Sequence, residues 1–245
     1  MPIELVLAAP RQIEYRDYQE SQPGEGQVLV RSIMSGVSHG TEMNHYRGTV
    51  PFHERTFDSE LRVFRPVAQT DTPPYPRLIG YENVGEVVAV GPDVTIVKPL
   101  DRVVAWGRHR QSNLVSVDQV IPLPPGVAPE EGVCTTLAAV GLTAVHDGGV
   151  KVGDSVAIFG MGVVGLLTVQ LARLSGATRI FAIDLLPERR QRALAFGADE
   201  AFDPASEDAA LRIKESTQGG ADVAIEASGS YNALHQALRC AHTAG

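Results

Sequence analysis

The spacing of apolar residues changes about half-way along the chain. Before position 123, short runs rich in Val, Ile and Leu are separated by Gly and Pro, which predicts short β-strands joined by turns. Many short strands with such turns are typical of a β-barrel or β-sandwich. The predicted strands are Glu4–Leu7, Ile13–Tyr15, Gln27–Ser32, Val84–Val90, Arg102–Ala105 and Asn113–Val117.

After a proline-rich junction at Pro122–Gly126, β-strands alternate with helices. Pro129–Glu131 favours a helix start, because proline and acidic residues suit the first helical turn. Strand–helix alternation predicts a parallel sheet with right-handed crossovers, and therefore an α/β fold with two domains, 1–123 and 124–245. The alternating segments are Ser155–Phe159, Val163–Ser175, Arg179–Asp184, Pro187–Phe196, Ala201–Phe202, Ala209–Thr217, Val223–Ala227 and Tyr231–Ala241.

The segment Gly48–Leu78 fits neither pattern. It is rich in proline, contains Phe52, Phe57, Phe64 and Tyr75, and shows no regular period. Long segments of this kind are usually functional or mobile. Two interpretations stay open, a surface insertion and a lid that shapes a substrate pocket.

Composition and charge exclude several classes of protein. The 21 Lys and Arg residues against 29 Asp and Glu give a net charge of −8 over 245 residues, with no basic stripe of the kind that binds nucleic acid. Cys134 and Cys240 are too few for a disulfide framework or a four-cysteine zinc cluster. Met1–Glu4 lacks the basic start of a secretory signal, so we expect a cytoplasmic protein.

The uncharged run Ser155–Ala172 reaches 18 residues, the length that marks a candidate membrane span. It contains three glycines, and Asp154 and Arg173 flank it. A β-strand, a glycine turn and a buried helix explain the run better, and we expect no membrane partner.

The glycines of that run form the motif Gly160-Met161-Gly162-Val163-Val164-Gly165, which fits G-x-G-x-x-G between a predicted strand and a predicted helix. In this motif the first glycine permits a tight turn, the second lets the main chain approach a pyrophosphate, and the third lets the helix lie close to the sheet. The helix N-terminus adds unpaired N–H groups and a positive dipole. All six residues are therefore predicted to bind a dinucleotide.

Asp184 ends the next predicted strand, 19 residues after Gly165, near the spacing of about 20 expected for a ribose-binding acid. A carboxylate there favours NAD over NADP, because it repels a 2′-phosphate. Arg189, Arg190 and Arg192 follow closely and keep NADP open. These arginines are interpreted either as cofactor contacts, with Arg189 the foremost, or as the solvated face of the helix.

Taken together, these residues resemble the medium-chain dehydrogenase/reductase superfamily, which includes zinc-dependent alcohol, sorbitol and threonine dehydrogenases. The resemblance implies an N-terminal GroES-like β-domain, then a Rossmann domain, with the active site in the cleft between them. It also implies an NAD(P)-dependent oxidoreductase that transfers hydride between nicotinamide and an alcohol or carbonyl substrate. The segments that carry it are Ser35-Gly36-Val37-Ser38-His39-Gly40-Thr41-Glu42, Tyr46–Gly48, Gly80–Gly91, Asp101–Val103, Leu142–Ala144 and Glu226–Gly229.

Site residues follow from the same resemblance. Thr143 and Ser228 are expected beside the nicotinamide nucleotide. Thr41 is expected to be the proton-relay hydroxyl, because it follows the loop glycine as the relay residue does in relatives. His39 is a relay, a donor or a metal ligand, and Tyr81 a donor to the substrate oxygen.

The zinc ligands of typical members are largely replaced here. Ser38 or His39 stands where the first loop usually has a cysteine, Tyr81 replaces the histidine of the Gly-His-Glu segment, and Ala139 or nearby Cys134 takes the third position. A zinc site needs three or four converging ligands, so we expect no complete set. The remaining candidate ligands are His39, Glu82, His109 and Cys134. Glu82, which is also a catalytic candidate, is interpreted as a ligand, as a carboxylate that supports a ligand, or as an anchor of the loop through main-chain N–H groups, and we favour the anchor. This pattern most resembles a divergent branch that includes bacteriochlorophyllide-dehydrogenase-like proteins.

Relatives of this kind continue beyond the fourth strand of a sheet that usually has six. The further strands carry part of the nicotinamide site and the dimer contact, so we expect a fragment or a truncated chain, and a homodimer only for a longer one. Two alternatives for the activity stay open. One is a zinc-free quinone or enoyl reductase of the same superfamily, and the other is a nucleotide-binding protein without catalysis.

Overall fold

The computed structural model describes residues 1–50, 55–66 and 74–243. Within it the chain forms two compact units, Met1–Thr135 and Thr136–Gly245. The domain boundary predicted at 123/124 precedes the junction of these units, because the short helix that follows it packs in the first unit. A Cβ added at Gly132 of that helix would contact Leu123, Val84 and Val104.

The first unit is built mainly from antiparallel strands. Its central sheet has the order β10-β8-β7-β3-β9, and a smaller sheet has the order β2-β1-β6. The strands are β1 (Ile3–Ala9), β2 (Gln12–Asp17), β3 (Gln27–Gly36), β4 (Arg55–Asp58), β5 (Val63–Pro66), β6 (Arg77–Leu78), β7 (Glu82–Val90), β8 (Arg102–Ala105), β9 (Ser112–Ser116) and β10 (Val120–Pro122). The helices are α1 (Thr41–Arg47) and α2 (Pro129–Gly132), with a 3-10 turn at Val117–Gln119.

Alternating valines give the central sheet its core. Side chains on one face of a strand recur every second residue, so Val28 and Val30 of β3 point inward together. They pack with Val87 of β7 and Val103 of β8 in one buried cluster. All six strands predicted for this half are present.

The segment Gly48–Leu78 contains a β-hairpin that the sequence pattern does not predict. Strands β4 and β5 pair antiparallel, with Phe57 opposite Phe64 and their ring centroids 5.1 Å apart. Both rings are about half exposed, which explains the missing hydrophobic period. Phe52 lies outside the described residues. The two interpretations of this segment, a surface insertion and a lid, both stay predictions.

The second unit is a parallel sheet with helices along it. Its order is β13-β12-β11-β14, which is the 3-2-1-4 order of a Rossmann fold, and every pairing is parallel. The strands are β11 (Ser155–Phe159), β12 (Arg179–Ile183), β13 (Glu200–Phe202) and β14 (Val223–Glu226). The helices are α3 (Thr135–Asp147), α4 (Val163–Leu174), α5 (Pro187–Ala195), α6 (Ala209–Thr217) and α7 (Tyr231–Cys240).

Both faces of this sheet are buried, as parallel sheets require. Val156 and Ile158 of β11 belong to one apolar cluster, whereas Ala157 and Phe159 belong to another. Ser155–Ala172, the run that reaches membrane-span length, is therefore a strand, a turn and part of a helix. None of the described helices has both the length and the apolar character needed to cross a membrane.

Candidate functional site

The glycine turn of the second unit has the local geometry that its motif predicts. Gly160 follows β11 with φ of +94°, a conformation that favours glycine. Its N–H donates to the Ile183 carbonyl at 2.7 Å, which ties the turn to the end of β12. A Cβ added at Gly160 would lie 2.7 Å from the main-chain nitrogen of Ser228, so the turn also packs closely against the segment after β14.

The other two glycines of the motif have different surroundings. A Cβ added at Gly165 would overlap the Gly160 carbonyl oxygen, so glycine there lets α4 start directly against the turn. Gly162 is the residue before α4, with φ of −72°, and a Cβ added there would meet no atom within 4 Å. The space above Gly162 is therefore open, at the N-terminus of a 12-residue helix whose first N–H groups lack helical partners.

Asp184 binds the glycine turn as well as its own loop. One carboxylate oxygen accepts the Met161 N–H at 2.7 Å, and the other accepts the Leu186 N–H at 2.8 Å. A guanidinium nitrogen of Arg189 lies 3.7 Å from the same carboxylate. Arg190 instead donates to the main-chain carbonyl of Asp184 at 2.8 Å. The acid is 8% exposed, so it is held in one position beside the turn.

The segment after β14 is folded by its own acid. The Glu226 carboxylate accepts the Ser228 N–H at 2.7 Å, the Ser228 hydroxyl at 2.5 Å and the Gly229 N–H at 3.1 Å. The Ala227 N–H donates to the Phe159 carbonyl at 2.8 Å. Because β11 and β14 are neighbours on opposite sides of the reversal in strand order, Ser228 and Gly160 flank the topological switch point where such sheets bind ligands.

The remaining predicted cofactor residues are placed less distinctively. Met161 is fully buried in the core, whereas Val163 is half exposed and Val164 is partly buried. Thr143 lies exposed on α3, with its hydroxyl donating to the Ala139 carbonyl at 2.9 Å. No contact in the structure decides their roles, so these remain predictions.

In the first unit, the loop before α1 carries the predicted relay residues. His39 and Thr41 are exposed, whereas Ser38 between them and β3 is buried. The Thr41 N–H donates to the Ser38 hydroxyl at 3.3 Å. The hydroxyl of Thr41 and the ring of His39 are thus accessible at the start of α1, on a loop whose inner residue is fixed.

Tyr81 and Glu82 lie at the start of β7. The Tyr81 ring is 5.6 Å from the Trp106 ring, centroid to centroid, and is partly buried. Glu82 is 4% exposed, and one of its carboxylate oxygens would lie 2.7 Å from a Cβ added at Gly36. Glu82 therefore packs directly against the end of β3, and its role as a ligand or as a structural residue stays a prediction.

His109 lies in a buried hydrogen-bonded chain. Its Nδ1 is 2.8 Å from the Ser35 hydroxyl, and its Nε2 is 2.8 Å from a carboxylate oxygen of Glu42. The other carboxylate oxygen of Glu42 accepts the Ser38 N–H at 2.7 Å. Sequence reasoning did not assign a role to Glu42 or Ser35. The available signal was an acid directly after Thr41 in a loop that resembles an active-site loop.

The donors in the described residues do not fit a zinc site. No group of three or more His, Cys, Asp or Glu side chains within 1–50, 55–66 and 74–243 is arranged to hold a metal ion. Both ring nitrogens of His109 are engaged by Ser35 and Glu42. The pKa of the Cys134 thiol is raised by burial and then by the negative charge of Glu82. We therefore derive no reaction step through a metal.

Comparison with protein families gives two matches along the chain. Residues 24–145 match the alcohol dehydrogenase GroES-like domain, and residues 163–245 match the zinc-binding dehydrogenase family. The D-guloside 3-dehydrogenase of Shigella flexneri is 32% identical over 244 residues, which span 96% of this chain and 69% of that protein. The chain belongs to the medium-chain dehydrogenase/reductase superfamily.

Other members of the superfamily extend this result. The (R,R)-butanediol dehydrogenase of Bacillus subtilis is 32% identical over 95% of this chain and 72% of that protein. The crystal structure of the 2R,3R-butanediol dehydrogenase from Bacillus subtilis matches all of this chain and 76% of that chain with a TM-score of 0.83 and 28% identity. A structure from Sinorhizobium meliloti 1021, described as a zinc-binding dehydrogenase bound to NADP, has a TM-score of 0.84 and 27% identity, over 100% of this chain and 75% of that one.

These comparisons confirm the fold class and the class of reaction. The chain is a medium-chain dehydrogenase/reductase with a GroES-like unit followed by a Rossmann sheet of which the described residues form four strands. It is an alcohol dehydrogenase-like, NAD(P)-dependent oxidoreductase.

Proposed function

We propose that this chain oxidises a secondary alcohol to a ketone, and catalyses the reverse reduction, with NAD as its preferred cofactor. The observation that carries the proposal is the open space over Gly162 at the N-terminus of α4, beside a buried Asp184. An anion is favoured at such a helix end, because unpaired N–H groups and the helix dipole both face it.

The cofactor-binding residues divide the dinucleotide among them. The turn Gly160–Gly165 would hold the pyrophosphate with main-chain N–H groups, and Ser228 flanks the same edge of the sheet. When bound, the nicotinamide supplies the hydride acceptor or donor of the reaction. The chain's own residues must position the alcohol, move its proton and keep the reacting oxygen hydrogen-bonded.

Asp184 supports NAD rather than NADP. Each of its oxygens accepts one main-chain N–H and keeps a second lone pair for a ribose hydroxyl. Arg189 is 3.7 Å from this carboxylate, so its charge is already partly compensated there and is less available to a 2′-phosphate. The NADP-bound relative makes cofactor preference the first property to measure.

In the first unit, we assign proton transfer to the loop before α1. The exposed Thr41 hydroxyl can pass the alcohol proton to solvent, with exposed His39 as the next acceptor. Tyr81 is the candidate donor to the substrate oxygen, because its ring is held against Trp106 at the end of the same sheet. Glu82, packed on Gly36, supports the loop rather than the substrate.

The names of two relatives indicate the substrate class. A guloside 3-dehydrogenase and a 2R,3R-butanediol dehydrogenase both act at carbons that bear secondary hydroxyl groups. We therefore expect a secondary alcohol with a neighbouring oxygen, such as a vicinal diol or a sugar derivative.

The test is a panel of secondary alcohols, with a primary alcohol as control, assayed with NAD and with NADP for formation of reduced nicotinamide. Thr41→Val should lower kcat by about 100-fold or more, the usual size of a lost general acid or base, whereas Thr41→Ser should retain most activity. Thr95→Val, at another exposed threonine of the same unit, is the matched control and should match the parent enzyme.

Two results would replace this proposal by an alternative. Activity only with quinones or activated alkenes would favour the reductase, and nucleotide binding without turnover on any panel member would favour a non-catalytic binding protein. Elemental analysis of the active protein that finds one zinc per chain would contradict our metal-free assignment.

We also propose a cytoplasmic location, and a homodimer if the full-length chain is longer. Both cysteines are free, which suits a reducing compartment. Fractionation of the source cells and light scattering of the purified protein test these two points.

A further inference from the structure

A buried acid, Glu42, joins the loop that carries His39 and Thr41 to another part of the first unit. Glu42 is the second residue of α1, and its side chain is 4% exposed. One carboxylate oxygen accepts the Ser38 N–H, and the other contacts His109. The acid thus links the loop before α1 to the segment that precedes β9.

His109 is itself held by four hydrogen-bonding contacts. Its ring contacts Ser35 at the end of β3 and Glu42 in α1, both at 2.8 Å. Its main-chain N–H donates to the Ile79 carbonyl at 3.0 Å, and its carbonyl accepts the Leu5 N–H at 2.9 Å. The ring is therefore held in one orientation, and rotating it away from Glu42 would break its contacts with both Glu42 and Ser35.

The loop between these anchors is also held to the start of α1, because the Ser38 carbonyl accepts the Met43 N–H at 3.3 Å and the Gly40 carbonyl accepts the Asn44 N–H at 3.2 Å. Gly36 is held at one end by contact with Glu82, and the Ser38 hydroxyl accepts the Thr41 N–H at a long 3.3 Å. A Cβ added at Gly40 would meet nothing within 4 Å, so the outer part of the loop is unpacked. The Ser38–Glu42–His109 contacts therefore join the loop that precedes Thr41 to a segment outside α1.

We infer that Glu42 and His109 are positioning residues, which hold the loop Val37–Thr41 in the arrangement that its exposed side chains need for proton transfer. This inference rests on the proposed function for the role of Thr41, but not for the effect on the loop. Because the contacts are made to a main-chain N–H and to a ring nitrogen, hydrogen-bonding geometry matters more than the negative charge. Removing Glu42 misplaces Thr41 without touching substrate or cofactor.

The experiment compares Glu42→Ala, Glu42→Gln and His109→Phe with the parent enzyme. Glu14→Gln, in an exposed ion pair of the same unit, is the matched control. The first readout is amide hydrogen exchange of the peptide that covers residues 36–44, which needs no activity. We expect exchange at least about 10-fold faster in Glu42→Ala and His109→Phe, as local opening becomes easier. Glu42→Gln can keep both contacts, because its amide oxygen accepts the Ser38 N–H and its NH2 group donates to Nε2 of the His109 tautomer that is protonated on Nδ1. This variant and Glu14→Gln should stay near the parent rate.

The second readout is kinetic. A displacement of about 1 Å costs about 100-fold in rate, so kcat should fall by that order in Glu42→Ala and His109→Phe while KM changes less than about threefold. Glu42→Gln should recover kcat to within about fivefold of the parent. An unchanged Kd for the dinucleotide shows that the second unit of each variant is folded, and parent-like hydrogen exchange in the peptides of β7 and β8 shows that the first unit is.

The outcomes separate this inference from the proposed function. Unchanged exchange in Glu42→Ala overturns the inference whatever the activity, and so does faster exchange with an unchanged kcat. Failure of Glu42→Gln to rescue would overturn the geometric role, because charge would then be the decisive property. A parent enzyme that reduces no nicotinamide with any alcohol contradicts the proposed function, and the exchange result still decides what Glu42 and His109 hold in place.

Discussion

The two units build their candidate sites from different materials. In the second unit, the candidate site is formed mainly by main-chain atoms. Gly160, Gly162 and Gly165 form the turn, and the N-terminus of α4 supplies the N–H groups. In the first unit, the candidate site is formed by side chains that are distant in sequence. The two side-chain partners of His109 lie 67 and 74 residues away along the chain.

This difference determines what the sequence reveals. A main-chain site depends on residues that are neighbours in sequence, so its spacing can be read directly. A side-chain site depends on how distant strands pair, and pairing cannot be read from local patterns. The sequence therefore predicts a dinucleotide site residue by residue, whereas it does not predict the buried contacts of Glu42 and Ser35 with His109.

The largest expected change in stability comes from a comparison of two alanine substitutions in the glycine turn. Gly165→Ala forces a Cβ onto the Gly160 carbonyl oxygen, so we expect a loss of about 3 kcal/mol in the free energy of unfolding. Gly162→Ala makes the same chemical change three residues away in open space and should leave stability unchanged. Chemical denaturation of both variants measures this. Equal stability of the two would mean that the close approach of α4 to the turn is wrong.

In the first unit, we expect a smaller loss in the free energy of unfolding when the buried hydrogen bond between His109 and Glu42 is removed. His109→Ala leaves the Glu42 carboxylate without its ring partner, and we expect a loss of about 2 kcal/mol. The exposed pair offers the contrast, because Glu14→Gln should cost less than about 0.5 kcal/mol. Urea unfolding of both variants tests the prediction, which fails if the two losses are alike.

The fold of the second unit followed from its sequence more closely than that of the first. Ser155–Phe159 and Ala209–Thr217 have the predicted bounds, because glycine turns and helix caps mark their ends. The missed elements of the first unit are α1, the hairpin β4–β5, β6 and β10. They are short, and the hairpin is exposed on both strands, so no apolar period marks it.

Cofactor preference gives an intermediate effect in the second unit. Asp184→Asn removes the charge that repels a 2′-phosphate, so we expect the ratio of Kd for NADP to Kd for NAD to fall about 10-fold, or 1.4 kcal/mol. Glu188→Gln, an exposed acid in the first turn of α5, is the control and should leave the ratio unchanged. Titrations with both nucleotides decide the point. A ratio unaffected by Asp184→Asn would show that the arginines set the preference.

The smallest effect tests a long-range side-chain contact within the second unit. The pKa of Asp222 is lowered, first by the hydrogen bond from the Ser155 N–H and then by that from the Ser155 hydroxyl. A carboxyl group whose pKa is lower in the folded state than in the unfolded state stabilises the folded protein at neutral pH. This stabilisation is lost as the pH falls below about 4. Asp222→Asn should therefore reduce stability at pH 6 by less than about 1 kcal/mol, since solvent screens the group, and have less effect at pH 3.

Thermal unfolding at the two pH values checks the sign. The difference between parent and variant must shrink on acidification. A difference that grows at pH 3 would mean that the carboxyl contributes in its protonated form, and that its contact with Ser155 is not the one described.

The central claim is that the open space over Gly162 receives the phosphates of a nicotinamide dinucleotide. Its most direct test is calorimetric titration of the folded chain with NAD, for the parent, Gly162→Ala and the control Gly24→Ala, whose added Cβ makes only an ordinary contact. The account predicts binding to the parent and the control, and at least about 10-fold weaker binding to Gly162→Ala at unchanged melting temperature. Equal affinity in all three proteins, or no heat with the parent at millimolar nucleotide, would contradict it.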